Sequence, residues 1–123
     1  MRYWLIMGLC LLAPCTAHAW TDGEIADAIW RAEGCAAGTC EYYYGIRSVN
    51  YKTGKGGAAD RAEARRICIN TIRNQRVRWA KGGKVGEYLV SLWKRYCPVG
   101  VANDPKGLNC NWLKNVRWAL NNR

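Results

Sequence analysis

Histidine is nearly missing from this chain: the single copy, His18, falls in the N-terminal segment. The seven cysteines include no Cys-x-x-Cys pair. Structural zinc sites draw on such pairs and on histidine, so no zinc centre is expected, and nothing else in the sequence implies a metal or a cofactor. Acidic residues are scarce, nine against nineteen Lys and Arg, for a formal net charge of +10. That excess suits polyanionic partners: nucleic acid, anionic lipid or the acidic polymers of a cell wall. The cations are dispersed over several segments rather than gathered in one run, and a solvated surface is an equally simple reading of them. Long apolar runs are absent too. The stretch Leu5 to Ala13 is too short to anchor a chain in a bilayer, so stable membrane insertion is not expected. No internal repeat and no low-complexity segment is found.

The N-terminus has the layout of an export signal. Arg2 supplies a positive start, Leu5 to Ala13 an apolar stretch, and Ala17-His18-Ala19 a small-x-small cleavage site before Trp20. A lipoprotein signal ending at Cys15 is the competing reading, and Pro14 directly before that cysteine disfavours it. The expectation is a signal peptide over 1–19 and one domain over 20–123, secreted or periplasmic after cleavage. Removing 19 of 123 residues leaves 104, and losing Arg2 takes the net charge from +10 to +9. That length suits one compact domain with a modest core, expected as a monomer. Cys35, Cys40, Cys68, Cys97 and Cys110 remain; in an oxidising compartment five thiols suggest two disulfides and one leftover. Sequence selects no pairing, although a Cys35–Cys40 bridge would close the segment that follows the first helix.

The hydrophobic pattern predicts a mostly α domain of four to five helices with a short Tyr/Gly-rich loop or β-hairpin insert. Thr21-Asp22-Gly23-Glu24 is a capping-box pattern, opening a first helix that runs to about Glu33. Residues 34–58 are rich in Gly, Tyr and Cys and hold the insert, with Gly54-Lys55-Gly56-Gly57 as a turn. A second helix is expected over about Ala59 to Ala80, with Ala64, Cys68, Thr71, Ile72, Gln75 and Trp79 on one face and Ile67 beside them. A third covers about Val85 to Tyr96, with Val85, Leu89, Leu92, Trp93 and Tyr96 as its apolar stripe and Pro98 as its stop. A last helix, about Asn111 to Asn121, presents Trp112, Val116 and Leu120.

Glu33 breaks this pattern in an informative way. Ala26, Ile29 and Glu33 fall at helical spacing, so the carboxylate extends the buried stripe. Gly34 follows as a C-terminal cap, which puts Glu33 at the negative end of the helix dipole. Burial and the dipole both disfavour the ionised form and raise its pKa. A carboxyl group kept protonated near neutral pH is what a glycosidic general acid requires. Position alone favours a plainer role, a carboxylate with an Arg partner at the edge of the core. The neighbours shift the balance. Tyr42-Tyr43-Tyr44-Gly45-Ile46-Arg47-Ser48 follows soon after, and aromatic rings with polar tips suit a sugar cleft.

Glu33, then Tyr44-Gly45-Ile46-Arg47-Ser48, then a long helix, then Tyr88-Leu89-x-x-Leu92 before a final helix, together resemble the lysozyme-like superfamily. The nearest branch is that of soluble lytic transglycosylases and goose-type lysozymes. Arg95-Tyr96-Cys97-Pro98 and Asn109-x-x-Trp112-x-x-Asn115-Val116 are similar to runs in small secreted and phage proteins of this kind. The chain departs from the family at Gly34, where serine usually follows the catalytic glutamate. It departs again at Arg47-Ser48, where Met-Gln is usual, and the Ala-x-x-Tyr-Asn-Ala-Gly stretch is absent. These departures touch substrate contacts more than the acid itself.

The resemblance implies a lysozyme-like domain that cleaves the β-1,4 linkage of peptidoglycan glycan strands, with Glu33 as the catalytic residue. Tyr44, Gly45, Ile46, Arg47, Ser48, Tyr96, Asn103 and Asn109 are the implied substrate contacts. Among these, Ser48 would meet an N-acetyl group and Arg47 a lactyl or peptide-stem carboxylate. Glycosidases generally need a second carboxylate. The acids after Gly34 are Glu41, Asp60, Glu63, Glu87 and Asp104. Asp60, Glu63 and Glu87 open helices, where acids stabilise the dipole; Asp104 reads as a turn residue; Glu41 alone stands where it could reach a cleft. The family resemblance implies that a lytic transglycosylase works with one Glu, and the shortage of partners favours that enzyme over a hydrolase. The alternative is a non-enzymatic cationic protein of the same fold that binds envelopes or acts as an antimicrobial. Nucleic acid ranks last as a partner, because an export signal and structural cysteines fit it poorly.

Overall fold

The computed structural model describes residues 19–54, 58–101, 104 and 106–123. The expected leader up to residue 18, the turn residues 55–57 and Asn103 lie outside the described residues. Four helices carry the fold: α1 (Asp22–Ala32), α2 (Ala58–Lys81), α3 (Tyr88–Tyr96) and α4 (Trp112–Asn121). Contacts run α1 to α2, α2 to α3, α3 to α4 and α4 back to α1, closing a ring. Its centre is filled by Ile25 and Ile29 of α1, Cys68 and Ile72 of α2, Leu92 of α3, and Val116 and Leu120 of α4, all at most 2 % exposed. Each of the large aliphatic chains among them contributes about 1.5–3 kcal/mol through burial. Among the described residues no helix is long and apolar enough to cross a membrane.

The first helix forms as its residues dictate. The Thr21 hydroxyl accepts from the Glu24 amide (3.1 Å), and the Glu24 carboxylate accepts from the Thr21 amide (2.9 Å), so two otherwise unpartnered donors are satisfied reciprocally. At the other end the Cys35 amide donates to the Trp30 carbonyl and the Gly34 amide to the Arg31 carbonyl, both at 3.0 Å. This pair of bonds is a Schellman closure, and it requires a left-handed residue, here Gly34 at φ +84°. Arg31 leaves α1 to bond the Ala119 and Asn122 carbonyls at 3.3 and 2.9 Å. It thereby supplies the cation that the last turn of α4 lacks.

The insert is a loop, not a hairpin. Its ends are joined by a single antiparallel bridge, Tyr42 to Lys52, and by the Thr53 amide donating to the Glu41 carbonyl (2.9 Å). Between them lie two 3₁₀ turns, Tyr43–Gly45 and Val49–Tyr51. No strand occurs among the described residues. Consecutive left-handed residues, Tyr44 at φ 55° and Gly45 at φ 71°, turn the chain out of any extended ladder.

Two expectations need correction. The third helix begins at Tyr88 rather than Val85, and Val85 is 80 % exposed instead of lying on the apolar stripe. Positive φ at Gly83, Lys84 and Gly86 forbids a helix there, and the Trp79 indole N–H holds the connector through the Val85 and Gly86 carbonyls. The cysteine count suggests two bridges, but among the described residues only Cys35–Cys40 is joined, while Cys68, Cys97 and Cys110 are free thiols. Cys68 is sealed inside the helical ring and Cys110 is exposed on the outside.

Gly34 and Gly38 separate strain from collision. Both have positive φ, but a Cβ on Gly34 would meet Thr39 Oγ1 at 2.6 Å, whereas Gly38 has nothing within 4 Å. Gly38→Ala should cost about 1–2 kcal/mol for the left-handed backbone. Gly34→Ala should cost more, as read by denaturant midpoints; equal losses would contradict the close approach of Thr39.

Candidate active site

A cleft of about 550 Å³ opens beside the end of α1. Ala32 and Glu33 come from α1 and its cap. Glu41, Tyr42, Gly45, Ile46 and Arg47 come from the insert, and Ile67 and Thr71 from the middle of α2. Arg95 and Tyr96, followed by Cys97 and Pro98, form the α3 side. Leu108, Asn109, Asn111, Trp112 and Asn115 complete the wall from the last 3₁₀ turn and α4. Every helix of the ring therefore contributes to one concavity.

Glu33 is the C-cap of α1, and its amide donates to the Ile29 carbonyl. Its carboxyl group lines the cleft and lies close to the Gly45 backbone: a Cβ on that glycine would lie 2.7 Å from one carboxylate oxygen. Burial raises the Glu33 pKa above its ordinary value of 4.5. Two weaker influences oppose it, the nearby Trp112 indole N–H and then the positive charge of Arg47. The indole N–H is buried without a partner at hydrogen-bonding geometry, so it favours the carboxylate without fully satisfying it. The Glu33 carboxyl group therefore holds its proton more tightly than an exposed glutamate, with one unfilled donor beside it.

The backbone that presses on Glu33 is held from behind. Tyr44 has a left-handed conformation that costs a non-glycine residue about 1–3 kcal/mol unless its surroundings enforce it. The Tyr96 hydroxyl donates to the Tyr44 carbonyl, and Arg65 donates to the Tyr44 hydroxyl (3.2 Å) while pairing with Asp27 (2.7 Å). The Tyr44 ring packs on Trp30 at 4.8 Å. Burial also pushes the Tyr96 hydroxyl well above its ordinary pKa, so it stays a donor. Tyr96 stacks on Trp112 at 5.4 Å, making one aromatic wall.

Of the residues singled out in the sequence, Glu33, Gly45, Ile46, Arg47, Tyr96 and Asn109 meet in this cleft. Tyr44 is buried behind it, and the Ser48 hydroxyl accepts from the Asn50 amide away from the lining (3.4 Å). Asn103 lies outside the described residues. Asn109 is anchored three ways: its side-chain amide donates to Pro98, its backbone amide to Asp104, and its carbonyl accepts from Trp93. Asp104 also accepts from the Gly100 amide (3.1 Å), so it is the turn residue its setting suggested.

Sequence reasoning did not foresee Ile67 and Thr71 as cleft floor, nor Arg95 on its rim. Ile67 and Thr71 are four residues apart on α2, and that spacing was the available signal. Glu41 is the other carboxylate on the lining. Cys97 lines it too, but burial pushes its thiol to about 12, which leaves no thiolate for chemistry near neutral pH. No group of three or more His, Cys, Asp or Glu able to hold a metal ion occurs among the described residues. Compared with known proteins, the chain matches no family model, no curated protein and no solved structure.

A raised carboxyl pKa makes stability fall as pH rises, because the folded chain binds the proton more tightly than the unfolded chain. The penalty from Glu33 is absent below about 4.5, the unfolded value, and grows until pH passes the folded value. Glu33→Gln should therefore be more stable than the parent at neutral pH, with the difference shrinking toward acid. Urea denaturation at several pH values reads this directly, and a variant less stable at neutral pH would contradict it.

Proposed function

We propose that this chain is an exported, lysozyme-like glycosidase that cleaves the β-1,4 linkage between N-acetylmuramic acid and N-acetylglucosamine in peptidoglycan. Residues 1–19 are read as its export signal, which would deliver a cationic domain to an anionic wall in the periplasm or outside the cell. One observation carries the reading: a desolvated carboxyl group at a helix end, packed against a glycine backbone inside a cleft to which every helix contributes. The lysozyme-like part of the reading rests on the sequence resemblance; the mostly helical fold is compatible with it.

The chemistry follows from the proton Glu33 holds. Its carboxyl donates to the glycosidic oxygen, the bond from that oxygen to the muramyl C1 breaks, and the glucosamine leaves as an alcohol. The Glu33 carboxylate then takes the proton from the muramyl C6 hydroxyl, whose oxygen bonds to C1 and closes an anhydro ring. No water is consumed, and the acid is regenerated. Arg47 and Arg95 on the lining offer positive charge to the lactyl or stem-peptide carboxylates of the strand. A hydrolytic route is the second reading, supported by Glu41 on the same lining: it would act as base for a water attacking C1.

Digestion of purified peptidoglycan, with products read by mass, tests this. The parent should release anhydro-muropeptides, and Glu33→Gln should lose at least about a hundredfold in rate, the range for removing a general acid. Reducing-end products that disappear in Glu41→Gln would select the hydrolase. Equal release by the parent and Glu33→Gln would overturn the mechanism.

A further inference from the structure

Asn115 borders more than one concavity. A second basin of about 300 Å³ shares Ala32 and Asn115 with the lining of the cleft. The two concavities thus adjoin across a saddle between the end of α1 and the middle of α4. The basin is made from small side chains, Ala36 and Ala37 beyond the Schellman turn and Ala119 on α4, which leave a shallow trough. No carboxylate lines it. Trp118 stands on its border.

Trp118 is an outlier among the tryptophans. It is 61 % exposed, while the other five described ones are buried or half-buried. An indole left in water on a small domain forgoes the burial that its apolar area would otherwise gain. This one is held in place nevertheless. The Arg31 guanidinium lies over the ring with its central carbon 5.6 Å from the centroid, and the same guanidinium is tied to the Ala119 and Asn122 carbonyls. The side chain is thereby set in advance beside the trough, so ordering it costs little when something docks.

We infer that this basin is a binding subsite for the same glycan strand, one that seats sugars beyond the scissile linkage, with Trp118 as the platform for a pyranose ring. The C–H face of a pyranose is flat and apolar and matches an indole. The Asn115 amide, on the saddle, offers both a donor and an acceptor to a hydroxyl or an N-acetyl group. Continuity with the Glu33 cleft identifies the occupant, since a strand leaving that cleft past Asn115 runs onto Trp118. The absence of an acid on the basin lining makes it a place for holding sugar, not for cleaving it. The inference rests on the glycosidase reading above and adds to it a preference for long strands.

The test uses the full chain with Glu33→Gln, so that binding is read without turnover. Its ligands are purified glycan strands, long ones beside the shortest that the parent cleaves. Adding Trp118→Ala should weaken binding of long strands about tenfold, the scale of one lost aromatic stack with its buried area. Binding of the shortest strand should stay within about twofold, and Trp118→Tyr should restore most of the loss. A loss shared equally by short and long strands, or none on long strands, would overturn the subsite. So would unchanged strand binding together with a Trp118-dependent dimer in sedimentation, which would give this face to a second copy. A parent chain that neither binds nor cleaves any strand would overturn the glycosidase reading itself, a result distinct from the others.

Discussion

The contact between the Glu33 carboxyl group and the Gly45 backbone is the constraint on which the rest of this structure turns. It needs a helix that stops at Glu33, a loop that doubles back with two left-handed residues, and no side chain at position 45. Each requirement is met by a separate device. Gly34 supplies the stop by closing a Schellman motif. Tyr44 supplies the reversal, at the expense of backbone strain, and is fixed by Tyr96 from α3 and Arg65 from α2. The site is therefore assembled by long-range contacts, with residues from α1, α2 and α3 holding one peptide against one carboxyl group. Such a group is a liability for stability and an asset for proton transfer, a trade common to reactive sites.

Most of what could be read in the sequence came from local rules. The capping box at Thr21, the cap at Gly34 and the inward heading of Glu33 depend on neighbours within one or two helical turns, and they are present as those rules require. The interior face of α2 was legible for the same reason. The remainder depended on contacts distant in sequence. Nothing local separates Tyr42, Tyr43 and Tyr44, yet the first lines the cleft and the other two pack on Trp30. The apolar pattern places the start of α3 too early because the Trp79 indole, on another helix, holds the Val85 and Gly86 carbonyls in a non-helical path. The insert was open between loop and hairpin because that choice rests on the φ of Tyr44, which its distant partners enforce.

The charge excess has a structural side as well. Several arginines are engaged within the fold: Arg31 closes α4, Arg65 braces Tyr44, and Arg76 joins Asp22 to the Trp20 carbonyl while lying over the Tyr88 ring. The Arg65–Asp27 pair is exposed and contributes little, whereas the Arg76–Asp22 pair is half-buried and is joined by a bond to the Trp20 carbonyl. Arg47 is different, because its charge acts on Glu33. It holds the carboxyl pKa below what burial alone would impose and so tunes the acid without ion-pairing to it.

The central claim is that Glu33 carries its proton to higher pH than an ordinary glutamate, because burial removes water from it. The most direct measurement is a carbon-13 NMR titration of the Glu33 carboxyl in the folded chain, with Arg47→Gln beside the parent. The account predicts a midpoint above 4.5 in the parent and a further rise in Arg47→Gln, where the opposing charge is gone. A midpoint at or below 4.5, or one that falls when Arg47 is neutralised, would contradict it.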